Sequence, residues 1–83
     1  MNFSFIRDNI QSFLLKKYKG KFKDFAVEDF AGDISQILVG MIKRKEIESF
    51  ENLKVYKTND GISVYANVFI KFGKIQINMK VAL

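Results

Sequence analysis

The sequence predicts an α+β fold, with two N-terminal helices packed on one face of a three-stranded antiparallel β-meander. Three observations carry this. Apolar residues recur at helical spacing through the first half, the period switches to two from Leu53 onward, and an Asp60-Gly61 turn signal follows the first alternating run. The 83 residues are enough for one domain. A chain that is 48% hydrophobic, with nine Phe and no Pro, has the composition of a folded protein rather than a disordered one.

The first helix is expected over about residues 4–18. Ile6, Ile10, Phe13, Leu14 and Tyr18 form one apolar stripe, while Arg7, Asp8, Gln11, Ser12 and Lys16 fall on the other side. Ser4 is the expected N-cap, with Asn2 competing, and Lys16, Lys17 and Gly20 mark the end. Residues 19–30 hold no period for long, yet Phe22, Phe25 and Phe30 make the stretch too aromatic to lie free in solvent. It reads as an ordered connector folded back on the core.

The second helix is expected over about residues 31–45, where Ile34, Ile37, Leu38, Met41 and Ile42 lie at helical spacing. Asp33 and Gln36 form a candidate capping pair, and Gly32 is expected outside the helix. Gly40 lies within it, which predicts close packing there against the first helix or the sheet. Ile47 and Phe50 are expected to anchor a loop.

Strands are expected over about 53–57, 62–71 and 74–82. Ile62, Val64, Ala66, Val68 and Ile70 alternate on one face of the second strand, and Ile75, Ile77, Met79, Val81 and Leu83 on one face of the third. The opposite face carries Tyr56, Tyr65 and Phe69 among Asn67, Asn78 and Lys71, an aromatic candidate contact face. A three-stranded sheet has two edges. Leu53, Val55 and Lys57 on one, and Met79, Val81 and Leu83 on the other, are the candidate residues for pairing with another chain by strand addition.

The net charge is +5, with twelve of the fourteen basic residues being lysine. The shortage of arginine argues against sequence-specific base reading. The densest cluster, Lys16, Lys17, Lys19 and Lys21, is a candidate contact patch for an acidic partner, although helix C-termini also collect cations for their dipole. Cysteine and histidine are absent, which excludes disulfides, thiolate or imidazole metal sites and His-based acid/base pairs. No nucleophile setting, phosphate loop or clustered ligand set occurs, so neither catalysis nor a cofactor is expected. No apolar run approaches the roughly 20 residues of a membrane span, and no cleavable signal pattern opens the chain.

Several strings together resemble the C-terminal domain of contractile tail sheath proteins, found in myophages, phage-tail-like particles and contractile injection systems. Phe5-Ile6-Arg7-Asp8-Asn9-Ile10 is similar to the family's opening helix, and Lys17-Tyr18-Lys19-Gly20-Lys21 to the segment that follows it. Ile34 to Ile42 looks like its second helix. Val64-Tyr65-Ala66-Asn67-Val68 and Lys74 to Val81 are similar to its terminal hairpin. The resemblance implies a structural role in a virion or tail-like particle assembled in the bacterial cytoplasm. The sheet would accept strands from copies of itself or related subunits, and lysines at the end of the first helix would meet an acidic tail tube. A collar or baseplate adaptor fits the same resemblance. The alternatives from other classes are a small basic nucleic-acid-binding protein and a regulatory homodimer that buries the aromatic face.

Overall fold

The helical spacing of the first half is realised as two helices in the computed structural model, which describes residues 3–83. Helix α1 spans Phe3–Tyr18, a single 3-10 turn spans Phe22–Asp24, and α2 spans Val27–Lys43. Strands β1 (Ser49–Lys57), β2 (Gly61–Ile70) and β3 (Gly73–Ala82) form an antiparallel sheet in the order β1-β2-β3. The α+β architecture expected from sequence is the one observed. Helix α1 lies over β3 and α2 over β1.

Four residues of α1 at helical spacing, Ile6, Ile10, Leu14 and Tyr18, are fully buried. Phe13 departs from the expected stripe. It is exposed, with the Lys17 ammonium 5.8 Å from its ring. Ser4 lies within the helix rather than capping it, and the competing cap, Asn2, lies outside the described residues.

Helix α2 starts four residues earlier than expected, so the connector is short. Its first turn is held by Asp29, whose Oδ2 accepts the Ala26 backbone N–H at 3.0 Å, and Glu28 and Asp29 complement the helix dipole. Asp33 and Gln36 therefore sit in the helix body and not at its cap, and Gly32 is inside the helix. The rest of the connector does fold back on the core, with Phe22 buried and Phe25 half-buried.

At the other end, the Lys45 N–H donates to the Ile42 carbonyl and the Glu46 N–H to the Met41 carbonyl. Lys45 has φ 63°, so this is a Schellman cap built on a lysine where glycine is usual. Helix α2 accordingly stops at Lys43 and not near residue 45.

The sheet's inner face carries Ile62, Val64, Ala66 and Val68 from β2 and Ile77, Met79 and Val81 from β3, all buried against Phe30, Ile34, Leu38 and Met41. Strand β1 begins four residues before the alternation suggested. A bulge explains this. Glu51 pairs with Asn67 and Lys54 with Tyr65, so Asn52 and Leu53 together oppose Ala66, with Asn52 at φ 55°. The extra residue shifts the parity of the strand, leaving Phe50, Leu53 and Val55 half-buried on the core side.

Gly61 opens β2, and its role differs from the turn chemistry that Asp-Gly suggests. Its φ is not positive. A Cβ there would run into the Val81 carbonyl oxygen, so the residue permits close approach of β3. Gly40, expected to serve such packing, does not. A Cβ there would meet only the flexible end of Arg44, at 3.2 Å.

Candidate functional site

Both helices cover one side of the sheet, which leaves the other side and the two strand edges as the open surfaces. In an antiparallel ladder, each residue turns its N–H and C=O together toward one neighbour, and the next residue turns them away. Two bonds set the phase here. The Leu83 N–H donates to the Asp60 carbonyl at 2.8 Å, and the Thr58 N–H donates to the Gly61 carbonyl at 2.9 Å.

On β3 the odd-numbered residues therefore face β2. Met79 and Val81, paired with Val64 and Ile62, spend their backbone groups inside the sheet, and so does the Leu83 N–H. The Leu83 carbonyl is also occupied, accepting the Gly20 N–H at 2.8 Å. This corrects the expectation that Met79, Val81 and Leu83 offer the pairing edge. The outward backbone belongs to Lys74, Gln76, Asn78 and Lys80, all exposed, and no hydrogen bond from elsewhere among the described residues reaches it. Alternation in a sequence separates the two faces of a strand. Which set turns its backbone outward depends on the side where the neighbouring strand lies.

On β1 the same alternation turns Val55 and Lys57 outward. Leu53 belongs to the bulge. Lys57 is also an internal latch, since its Nζ donates to the Phe25 carbonyl at 2.7 Å and lies 5.9 Å from the Phe22 ring centroid. The β1 edge is thus kinked and partly engaged, while the β3 edge is regular over ten residues.

The open face carries two cross-strand rows. Tyr56, Ser63 and Lys80 stand opposite one another on β1, β2 and β3, and Lys54, Tyr65 and Asn78 form the next row. Tyr56 and Tyr65 are exposed by 52% and 36%, and their ring centroids lie 5.9 Å apart at an interplanar angle of 70°. Phe69 is half-buried on the same face, between Ser49 and Lys74. Lys71 is not on it, since β2 ends at Ile70. Lys54 and Lys80 stand beside the tyrosines, placed there by the same alternation that places Tyr56 and Asn78.

The lysine cluster at the end of α1 is divided. The Lys17 Nζ donates to Asp33 Oδ2 at 3.1 Å and Oδ1 at 3.2 Å, which raises the lysine's pKa above 10.5. Lys16, Lys19 and Lys21 are exposed without an ion pair among the described residues. They lie with α1 on the helical side, apart from the tyrosine rows. Phe72, in the turn between β2 and β3, is 91% exposed beside a cleft of about 660 Å³ lined by Ile42, Ile47 and Ile70.

Among the described residues, no group of acidic side chains is arranged to hold a metal ion, and no helix is long and apolar enough to cross a membrane. No protein-family model, curated protein or solved structure matches the chain.

Proposed function

We propose that this domain is an assembly module that joins neighbouring chains by strand addition along the free edge of β3. One observation carries the reading. The outward N–H and C=O groups of Gln76, Asn78 and Lys80 lie on a regular, exposed edge strand of a sheet whose opposite edge is blunted by the Asn52 bulge. Main-chain bonds supply the affinity in such pairing. The outer-face lysines of β3 make it selective against a strand bearing cations at the same positions.

A contractile tail is the setting that the sequence resemblance suggests. There the added strand would come from a neighbouring sheath, collar or baseplate subunit, and Lys16, Lys19 and Lys21 would face an acidic tube.

Proline at an outward position tests the edge, because it removes a donor that the domain itself does not use. Light scattering and negative-stain microscopy across concentration are expected to show oligomers of the natural chain. Gln76→Pro is expected to abolish them while the circular dichroism spectrum stays unchanged. Val81→Pro serves as the contrast, since it removes a bond to β2 and is expected to unfold the domain. A natural chain that stays monomeric, or oligomers that persist in Gln76→Pro, would overturn the proposal.

A further inference from the structure

The tyrosine rows are a surface distinct from the strand edge, and their chemistry points to a different ligand. We infer that the outer sheet face binds single-stranded nucleic acid, with Tyr56 and Tyr65 as stacking platforms and Lys54 and Lys80 as phosphate contacts. This inference stands independently of strand addition.

Each exposed ring shares its row with a lysine. Lys54 stands in register with Tyr65, and Lys80 shares its row with Tyr56 through Ser63. Neither lysine makes an ion pair with a described residue. Asn67 and Asn78 lie alongside on β2 and β3, with amides able both to donate to and accept from a base edge. The two rows, with ring surface, unpaired cations and amides, match an anion that itself carries flat rings and polar edges, and Glu51, opposite Asn67 in the next row, bounds the site on the side away from Lys80.

The competing occupant is a second copy of the chain. Face-to-face packing would bring Lys54 and Lys80 of both copies into one interface, where unpaired like charges are costly. Double-stranded nucleic acid fits less well, because its bases are stacked on each other and the open face presents no helix to a groove.

The test is fluorescence anisotropy with labelled oligouridylate and oligothymidylate of about ten nucleotides, compared with a duplex of equal length. Binding to the single strands is expected to exceed binding to the duplex. It should weaken between about 50 and 200 mM salt, with a logarithmic slope of about −1.4 from the two lysines. Tyr56→Leu should weaken it about tenfold, Tyr56→Phe should preserve it, and Lys54→Glu with Lys80→Glu should abolish it. Lys16→Glu with Lys19→Glu should leave it unchanged. Circular dichroism of each variant separates lost binding from lost folding, and the exposed lysines keep the test available if a tyrosine variant unfolds. Three outcomes would overturn the inference: no binding at protein concentrations of about 10⁻⁴ M, binding indifferent to Tyr56→Leu in a folded variant, or a dimer that Tyr56→Leu dissociates.

Discussion

Tyr18, the last residue of α1, is 1% exposed, yet its hydroxyl is not stranded, because it donates to Asp33 Oδ2 on α2. The ring is held edge-on against Phe25 and Phe30, with centroids 4.9 and 4.5 Å away. One side chain thus fastens both helices and the connector between them, and Lys17 neutralises the carboxylate from the solvent side.

Deleting the hydroxyl should cost stability without changing the fold. Tyr18→Phe is expected to lower the unfolding free energy by about 1–2 kcal/mol, as for a hydrogen bond to a charged group. Asp33→Ala is expected to cost more than Tyr18→Phe, since it leaves a buried hydroxyl unpaired. Urea denaturation measures both. Equal stability of Tyr18→Phe and the natural chain would show that the bond contributes nothing.

The same pair makes the domain sensitive to alkali. Burial, then the hydrogen bond to Asp33, raises the Tyr18 pKa above its ordinary 10.0, and the bond to Asp33 raises that of Lys17 above 10.5. Both groups hold their protons more tightly folded than unfolded. Their contribution is therefore complete below about pH 10 and is lost as pH rises through the raised values. Thermal unfolding followed between pH 8 and 12 should show a falling midpoint at the alkaline end, with a shallower fall in Tyr18→Phe.

Two glycines should respond oppositely to alanine. Gly61→Ala forces a Cβ onto the Val81 carbonyl and is expected to destabilise by about 2–3 kcal/mol, or to prevent folding. Gly32 lies in α2 with nothing near its missing Cβ, so Gly32→Ala is expected to stabilise by about 0.5–1 kcal/mol. Melting temperatures of the two variants, moving in opposite directions, are the check.

Lys45 and Asn52 occupy the left-handed region without being glycine. Lys45→Gly should raise stability by about 1 kcal/mol, because it relieves the steric cost of a Cβ in the Schellman cap. Asn52→Val should lower stability by a similar amount, because a β-branched side chain tolerates that backbone poorly. A stabilised Asn52→Val would show that the bulge is dispensable.

Much of this architecture was legible because it follows from local periodicity. The helix stripe through Ile6, Ile10 and Leu14 and the strand face through Ile62, Val64 and Val68 are set by burial alone, and so were the tyrosines opposite them. The misreadings share a different cause. The start of α2 is hidden in the sequence because its N-cap is Ala26, not a conventional cap residue, and the capping carboxylate, Asp29, lies three residues further on. The Asn52 bulge was invisible because one inserted residue leaves the apolar count of the strand unchanged while reversing its parity.

Spacing that one segment carries within itself is enough to specify the two helices, the meander and most of the side chains that face the core, with Phe13 the exception on α1. The fold settles which backbone groups remain free, because that depends on where β2 lies relative to β1 and β3. It also decided the work of particular residues. Gly61 serves the approach of β3, Lys57 holds the connector, and Tyr18 reaches Asp33 across the helix pair, and each of these contacts joins segments that only the folded chain brings together.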